Sequence, residues 1–448
     1  MSALPTHALP SHESATDQEP SFTDLGLPTR LIATLASRGI TAPFAIQTAA
    51  IPDALAGRHI LGRAATGSGK TLAFGLPMLA RLEGRKAQPR RPLGLVLVPT
   101  RELAMQVKDG LEPLAHALRL DLRLVIGGAP YGKQVDGLRR GADILVATPG
   151  RLEDLVRQGF ADLSDVEVAV LDEADHMTDL GFLPVVCALL EQVRPNGQRM
   201  LFSATLDRNV ETLVSRFLRD PATHSTAPAT ASITTMSHHV LVVHPADKHQ
   251  VAASIGAREG RTVMFVRTQL GAERLANTLL ESGVVAGALH GGMHQGERNR
   301  TIGDFRDGRV PVLVATDVAA RGIHVDDVSL VVHVDPAADP KDYLHRSGRT
   351  ARAGGTGTVV TLAMPRQQRE VAALTQRAGV DATAVRVRPG DHGLAQITGA
   401  RQPSGVPVTR PAGPARERRE HRGPSRRPGS GHASGRPQGR GVTRRTAS

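Results

Sequence analysis

Three runs of residues have the types and spacing to handle phosphates. Ala64-Ala65-Thr66-Gly67-Ser68-Gly69-Lys70-Thr71 gathers glycines, hydroxyls and a lysine between an apolar pair, Ile60 and Leu61, and a helical stretch over 71–82. Glycines let backbone N–H groups wrap a phosphate, so Ala65 to Thr71 form the expected nucleotide cradle. Lys70 offers a point charge to the β- and γ-phosphates, and the Thr71 hydroxyl offers a ligand to Mg2+. The usual pattern opens on Gly where this chain has Ala64, and alone it also fits a glycine-rich turn beside a cation. Asp172-Glu173-Ala174-Asp175 follows the apolar run 166–171. An acidic pair at the carboxyl end of a buried strand lies where open α/β sheets place their ligands. There Asp172 would hold Mg2+ through water and Glu173 would orient an attacking water. The two runs together point to nucleotide hydrolysis. In the third, His345-Arg346-Ser347-Gly348-Arg349-Thr350-Ala351-Arg352, arginines recur every third residue. On a helix they would share one face. Such a row is often only a charged surface, but the first two runs supply no cation beyond Lys70. Arginines lent across a cleft accelerate phosphoryl transfer by about 10³–10⁵, so Arg349 and Arg352 are expected to reach the γ-phosphate when two domains close.

The elements that must position these runs alternate along the chain. Buried strands are expected at 93–98, 143–147, 166–171 and 199–202, with helices at 102–117 and 151–157 between them. The alternation restarts with strands at 240–243, 262–266, 284–289, 311–315, 329–334 and 357–362 and helices at 272–281 and 297–305. Strands alternating with helices imply βαβ units and parallel sheets. The resulting expectation is a disordered segment at 1–20, an α/β domain at 21–223, a linker at 224–237, a second α/β domain at 238–385 and a disordered tail at 386–448.

Composition bounds the partners. The net charge of the 448 residues is +12, yet 401–448 hold twelve arginines and two glutamates and so carry +10 of it. Basic character belongs to the tail. Only six of the 55 basic residues are lysines, which the codon bias of a GC-rich genome explains most simply. Aromatics are 2%, with no Trp, which argues against modules that stack bases on aromatic platforms. A nucleic acid would be held through its backbone. The single cysteine, Cys187, lies among apolar neighbours and is expected in a core in a reducing compartment. No apolar run approaches the roughly 20 residues that span a bilayer, and the N-terminus shows no secretory pattern. A cytoplasmic protein with no membrane association is the expectation.

The ordered set of motifs resembles the DEAD-box ATP-dependent RNA helicase family, of the bacterial type. The resemblance rests on Thr66 to Thr71, Asp-Glu-Ala-Asp at 172–175, Ser203-Ala204-Thr205 and the His-Arg-x-Gly-Arg run at 345, and it covers roughly 22–364. It implies two tandem RecA-like domains, with ATP and Mg2+ bound. Phe22 and Gln47 resemble the adenine-reading motif, the Gln amide suiting the N6/N7 edge. Pro99-Thr100-Arg101, Gly127-Gly128 and Thr148-Pro149-Gly150-Arg151 resemble the RNA-contacting loops of the first domain. Arg267, Thr268 and Thr316, with Gln295-x-x-Arg298, resemble those of the second. Asp175, Ser203, Thr205, His345 and Arg346 resemble the elements that couple hydrolysis to strand opening.

The resemblance further implies an RNA partner held by sequence-indifferent backbone contacts with help from the arginine tail. It also implies ribosomal particles or RNA-decay machinery as settings, and a monomer. Two departures stand out. His324 replaces an Asp expected near the ATP ribose, with Asp326 or Asp327 as alternatives, and a modest change in nucleotide affinity is expected. Ala351 replaces a common Gly, with little effect expected if it lies on a helix. A DNA translocase and a noncatalytic RNA clamp are the competing classes. The glutamine motif disfavours the first, and the joint presence of Lys70, Glu173 and Arg349 disfavours the second.

Overall fold

A computed structural model describes residues 20–64, 67–226, 236–320, 325, 327–351 and 355–410. All of them lie in one compact unit built from two sheets.

The first lobe carries β1 Ile60–Arg63, β2 Gly94–Leu97, β3 Leu122–Val125, β4 Ile144–Ala147, β5 Val168–Leu171, β6 Gln198–Ser203 and β7 Ala222–Ser225, all parallel, in the order β3-β4-β2-β5-β6-β1-β7. Its helices are α1 Thr29–Ser37, α2 Ala45–Leu55, α3 Lys70–Leu82, α4 Arg101–Ala117, α5 Tyr131–Arg139, α6 Pro149–Arg157, α7 Ala174–Asp179, α8 Leu183–Glu191 and α9 Arg208–Phe217. β2, β4 and β5 are buried along their whole length, as parallel strands covered on both faces must be. One apolar cluster, around Phe74, Leu111 and Phe202, packs one face. A second, around Leu145, Leu171 and Leu190, packs the other and includes Cys187.

The second lobe repeats the plan with β8 Met236–Val243, β9 Arg261–Phe265, β10 Ala286–Leu289, β11 Val312–Ala315, β12 Val328–His333, β13 Gly357–Ala363 and β14 Thr383–Val387, in the order β10-β11-β9-β12-β13-β8-β14. Its helices are α10 Lys248–Gly256, α11 Gln269–Glu281, α12 Gln295–Arg306, α13 Asp317–Ala320, α14 Pro340–Ser347, α15 Gln368–Arg377 and α16 His392–Thr398.

Two sequence expectations are corrected at the ends of this lobe. The linker expected at 224–237 loses both ends, because His224 and Ser225 belong to β7 and Met236 and Ser237 to β8. The edge strand β7 and the first two residues of β8, an inner strand between β13 and β14, carry no apolar period, which hid them. Residues 227–235, like 1–19, lie outside the described residues. The tail expected to be disordered from Arg386 is ordered to Arg410. Arg386 and Val387 finish β14, and α16 buries Leu394 in the core of the lobe. The chain then runs back over the lobe, with backbone bonds from Arg401 to Ser254, Gly405 to Ser282 and Val408 to Leu280. A few apolar residues in a polar stretch sufficed to anchor it, which averaged composition does not reveal.

Candidate functional site

The sheet order divides the first lobe by function. The strands that precede the phosphate run, the acidic pair and Ser203-Ala204-Thr205 are β1, β5 and β6, and they are neighbours. The strands that precede the loops expected to contact RNA are β2, β4 and β3, and they occupy the other half.

In the nucleotide half, β1 turns through Gly67 and Gly69, at φ +87° and +86°, into α3. That left-handed backbone favours glycine. A Cβ on Gly69 would also fall 2.4 Å from Gln47 Nε2 and 2.5 Å from the Phe44 ring. Lys70 is buried and donates to the Ala64 carbonyl at 2.9 Å. Ala65 and Thr66 lie outside the described residues. Gln47, 1% exposed, donates to Gly69 O at 2.9 Å and accepts from Phe44 N at 2.9 Å. One amide hydrogen and one lone pair remain to it. Phe22, expected to pack on a base, is 3% exposed and sits in the core with Leu25, Leu27 and Leu31. The aromatic at the rim is Phe44, 49% exposed, which sequence reasoning missed.

Asp172 and Glu173 are buried at the end of β5. Burial, reinforced by the charges of Glu173 and Asp175, pushes the Asp172 carboxyl up to about 7 despite Lys70. Burial alone would also raise Glu173. The hydrogen bond and charge of His176, with Lys70 and Arg349, outweigh it and hold Glu173 well below the usual carboxylate range. Glu173 takes φ +53°, a left-handed conformation unusual for a residue with a Cβ. A buried carboxylate held near neutrality with one lysine for compensation suits a divalent cation, the fit that Asp172 and Thr71 offer. The Asp175 N–H donates to Ser203 Oγ at 3.3 Å. Asp175 Oδ2 accepts from both the N–H and the hydroxyl of Thr205.

The second lobe meets this half through α14. His345 Nε2 lies 3.8 Å from Asp175 Oδ2. Lys341 Nζ is 2.8 Å from both Asp179 and Asp207. The arginine row expected on one helix face is corrected. α14 ends at Ser347, so only Arg346 lies on it, and that residue turns into its own lobe. Arg346 grips Asp317 with two bonds at 2.5 and 2.8 Å and donates to Asp335 O. Arg349 follows the helix, buried, with its charge acting on Glu173. Arg352 and His324 lie outside the described residues. Ala351 is also off the helix, at φ +52°, which suits Gly and removes the helical premise on which little effect was expected.

In the other half, Thr100 and Thr268 cap α4 and α11. The Arg101 guanidinium lies across Gly127 and Gly128, where a Cβ on Gly128 would meet it at 2.3 Å. Arg151 donates to Ala129 O and covers the Tyr131 ring. Thr148 and Gly150 open α6 beside buried Pro149. Pro99 and Thr316 are buried, and Arg267 is exposed. Here too the lobes touch. Arg101 donates to Gln295, Gln295 to Glu102, and Arg298 pairs with Glu102. Lys341, Asp179 and Asp207 were not singled out from sequence. For Lys341, the scarcity of lysine was an available signal.

Two parallel-sheet lobes, one carrying a phosphate loop and acidic pair and the other facing it with an arginine, define a tandem RecA-like nucleotide-binding protein. The sequence pattern of the DEAD/DEAH box helicase family matches residues 44–213, and that of the helicase conserved C-terminal domain matches 247–354. DEAD-box ATP-dependent RNA helicase 3A, chloroplastic, of Zea mays is 40% identical over 373 residues, covering 81% of this chain and 50% of its own length. ATP-dependent RNA helicase DBP2 of Debaryomyces hansenii is 38% identical over 353 residues, covering 76% and 65%. Among solved structures, a variant of S. cerevisiae Dbp5 bound to RNA and ADP BeF3 is 30% identical, with a TM-score of 0.73, covering 82% of this chain and 95% of that one. The chain belongs to the DEAD/DEAH box helicase family. It spans between half and two thirds of the length of the two curated relatives just described.

Proposed function

We propose that this chain is an ATP-dependent RNA helicase that couples ATP hydrolysis to local duplex separation or remodelling of RNA–protein particles. One observation carries the reading: Lys70, Asp172 and Glu173 of one lobe face Arg349 of the other, whose charge Glu173 already feels. The site is complete only when the lobes meet. Mg2+ held by Asp172 and Thr71 would neutralise charge on the β- and γ-phosphates. Glu173 positions the attacking water, and Arg349, with Arg352, stabilises the charge that builds at the γ-phosphate. Gln47 has one donor and one acceptor left for the adenine edge, and Phe44, not Phe22, is the ring a base can reach.

The loops of the other half offer hydroxyls, backbone and Arg101, Arg151 and Arg267, a set suited to phosphates and 2′-OH groups regardless of sequence. Asp175, Ser203, Thr205 and His345 join the two halves, so closure on nucleotide and closure on RNA are one event. Arg346 serves that event from within its lobe by fixing α14 on Asp317. The arginine tail adds phosphate contacts. The family resemblance suggests ribosomal particles or RNA-decay machinery as settings and a monomeric state, and the single cysteine supports a reducing, cytoplasmic location. Placement among bacterial members rests on the motif resemblance, while the relatives above are plant and fungal. The test compares ATP turnover with RNA, with DNA and with neither. RNA alone is expected to stimulate it, and equal stimulation by DNA would replace the reading with a DNA translocase.

A further inference from the structure

Three acidic positions of the first lobe, Glu173, Asp175 and Asp179, run along α7 from its cap to its last residue. Three cationic or protonatable positions of the second, Lys341, His345 and Arg349, run along α14 and just past it at a spacing of four. Residues four apart share a helix face. The two series meet in opposite directions: Lys341 against Asp179, His345 against Asp175, and the charge of Arg349 on Glu173. The first rung has an extra member. Lys341 Nζ is also 2.8 Å from Asp207 Oδ2, and Asp207 Oδ1 caps α9 by accepting from Asn209 and Val210. Lys341 therefore grips the end of α7 and the start of the helix that follows Ser203-Ala204-Thr205.

We propose that Lys341 is a positioning residue, a latch whose capture by Asp179 and Asp207 sets the register in which the second lobe closes on the first. The proposal rests on the reading of the chain as a closing ATPase and adds to it the residue that aligns the closed form. Asp179 and Asp207 belong to the same lobe and both lie 2.8 Å from one ammonium, so moving the second lobe away would leave two carboxylates beside each other. Apart, they carry like-charge repulsion; joined, one ammonium relieves it. A compact point charge fits between two carboxylates better than a planar fork does. Lys341 is 24% exposed and its two partners 25% and 35%, so the latch is reversible and open to screening by salt. Burial would lower the Lys341 pKa, but bonds to the two carboxylates raise it above the ordinary lysine value, keeping it charged.

The experiment measures ATP turnover against RNA concentration, and binding of a fluorescent ADP without RNA, for the wild type, Lys341→Asp and the swap Lys341→Asp with Asp179→Lys. Lys341→Asp gathers three carboxylates at the joint and is expected to raise the RNA concentration for half-maximal turnover about tenfold or more. Nucleotide binding without RNA is expected to stay unchanged, which also shows that the variant folds. The swap restores opposite charge across the joint and is expected to recover the wild-type value to within about twofold. Half-saturation unchanged in Lys341→Asp, or a defect that the swap leaves whole, would overturn the latch. If the wild type itself shows no RNA-stimulated turnover, the proposed function fails, and the latch with it.

Discussion

Glu102 and Arg298 belong to different lobes and pair at 3.0 Å with both side chains about nine-tenths buried, 9% and 11% exposed. Gln295 donates to the same carboxylate, and Arg298 also reaches the His290 carbonyl at 3.2 Å. Removing one partner leaves the other buried without its counter-charge, which costs about 2–5 kcal/mol. That cost falls only on the joined form, because separated lobes expose both groups to water. Arg298→Met is therefore expected to weaken RNA binding in the presence of ADP–BeF3 by roughly 30-fold or more (about 2 kcal/mol) while leaving nucleotide binding alone. Anisotropy of labelled RNA measures the first and fluorescent ADP the second. Equal RNA affinity in both forms would show that the pair is idle.

Glu173→Gln keeps the shape of the site and removes the carboxylate proposed to orient water. Turnover is expected to drop by about 10²–10⁴, with RNA still retained in the presence of ATP. Steady-state hydrolysis at the wild-type rate would end the assignment.

Ala351 at φ +52° carries backbone strain of about 1 kcal/mol. Ala351→Gly is expected to raise the urea midpoint of the second lobe accordingly. A lower midpoint would mean that the turn is better served by Ala, as the stiffer residue in the unfolded chain.

Beneath α14, His238, His333 and Tyr343 pack together, with Tyr343 OH 2.9 Å from His238 Nδ1. Burial drives His238 down to about 4 and His333 well below 6.5. Both stay neutral in the fold, while the unfolded chain takes up protons below 6.5. Stability is therefore intact above that pH and declines between about 6.5 and 4. For His238 the loss is on the order of 2–3 kcal/mol at the acid end. Urea midpoints across this range should fall less steeply in His238→Asn than in the wild type; parallel slopes would refute it.

The ordered path to Arg410 separates two truncations that composition alone would merge. Ending the chain after 410 removes ten arginines and is expected to reduce RNA affinity and its salt slope with no loss of stability. Ending it after 390 also removes α16 and the segment bound to Ser254, Ser282 and Leu280, and is expected to destabilise the second lobe. Identical stability would discount the strap.

The strands read well from sequence because parallel sheets covered on both faces demand unbroken apolar runs, as at 94–97 and 312–315. Lys70, Asp172, Glu173 and Thr205 sit in local motifs that follow β1, β5 and β6, which the sheet makes neighbours. What did not read was non-local. In the run at 345–352 Gly348, the C-cap of α14, was the available sign that the helix ends at Ser347, but no local signal announces that Arg346 points home to Asp317. Phe22 and Phe44 look alike as aromatics near Gln47, and only packing decides which is buried. Lys341 acquires meaning from two carboxylates more than 130 residues away in the chain.

The lobes are expected to join only when nucleotide and RNA are both present. Donor and acceptor dyes on exposed sites of α1 and α15, one in each lobe, follow the distance between them. High energy transfer is expected with ADP–BeF3 and RNA together, and low transfer with either alone. Transfer that is the same in all states, or fully high with nucleotide and no RNA, would contradict it.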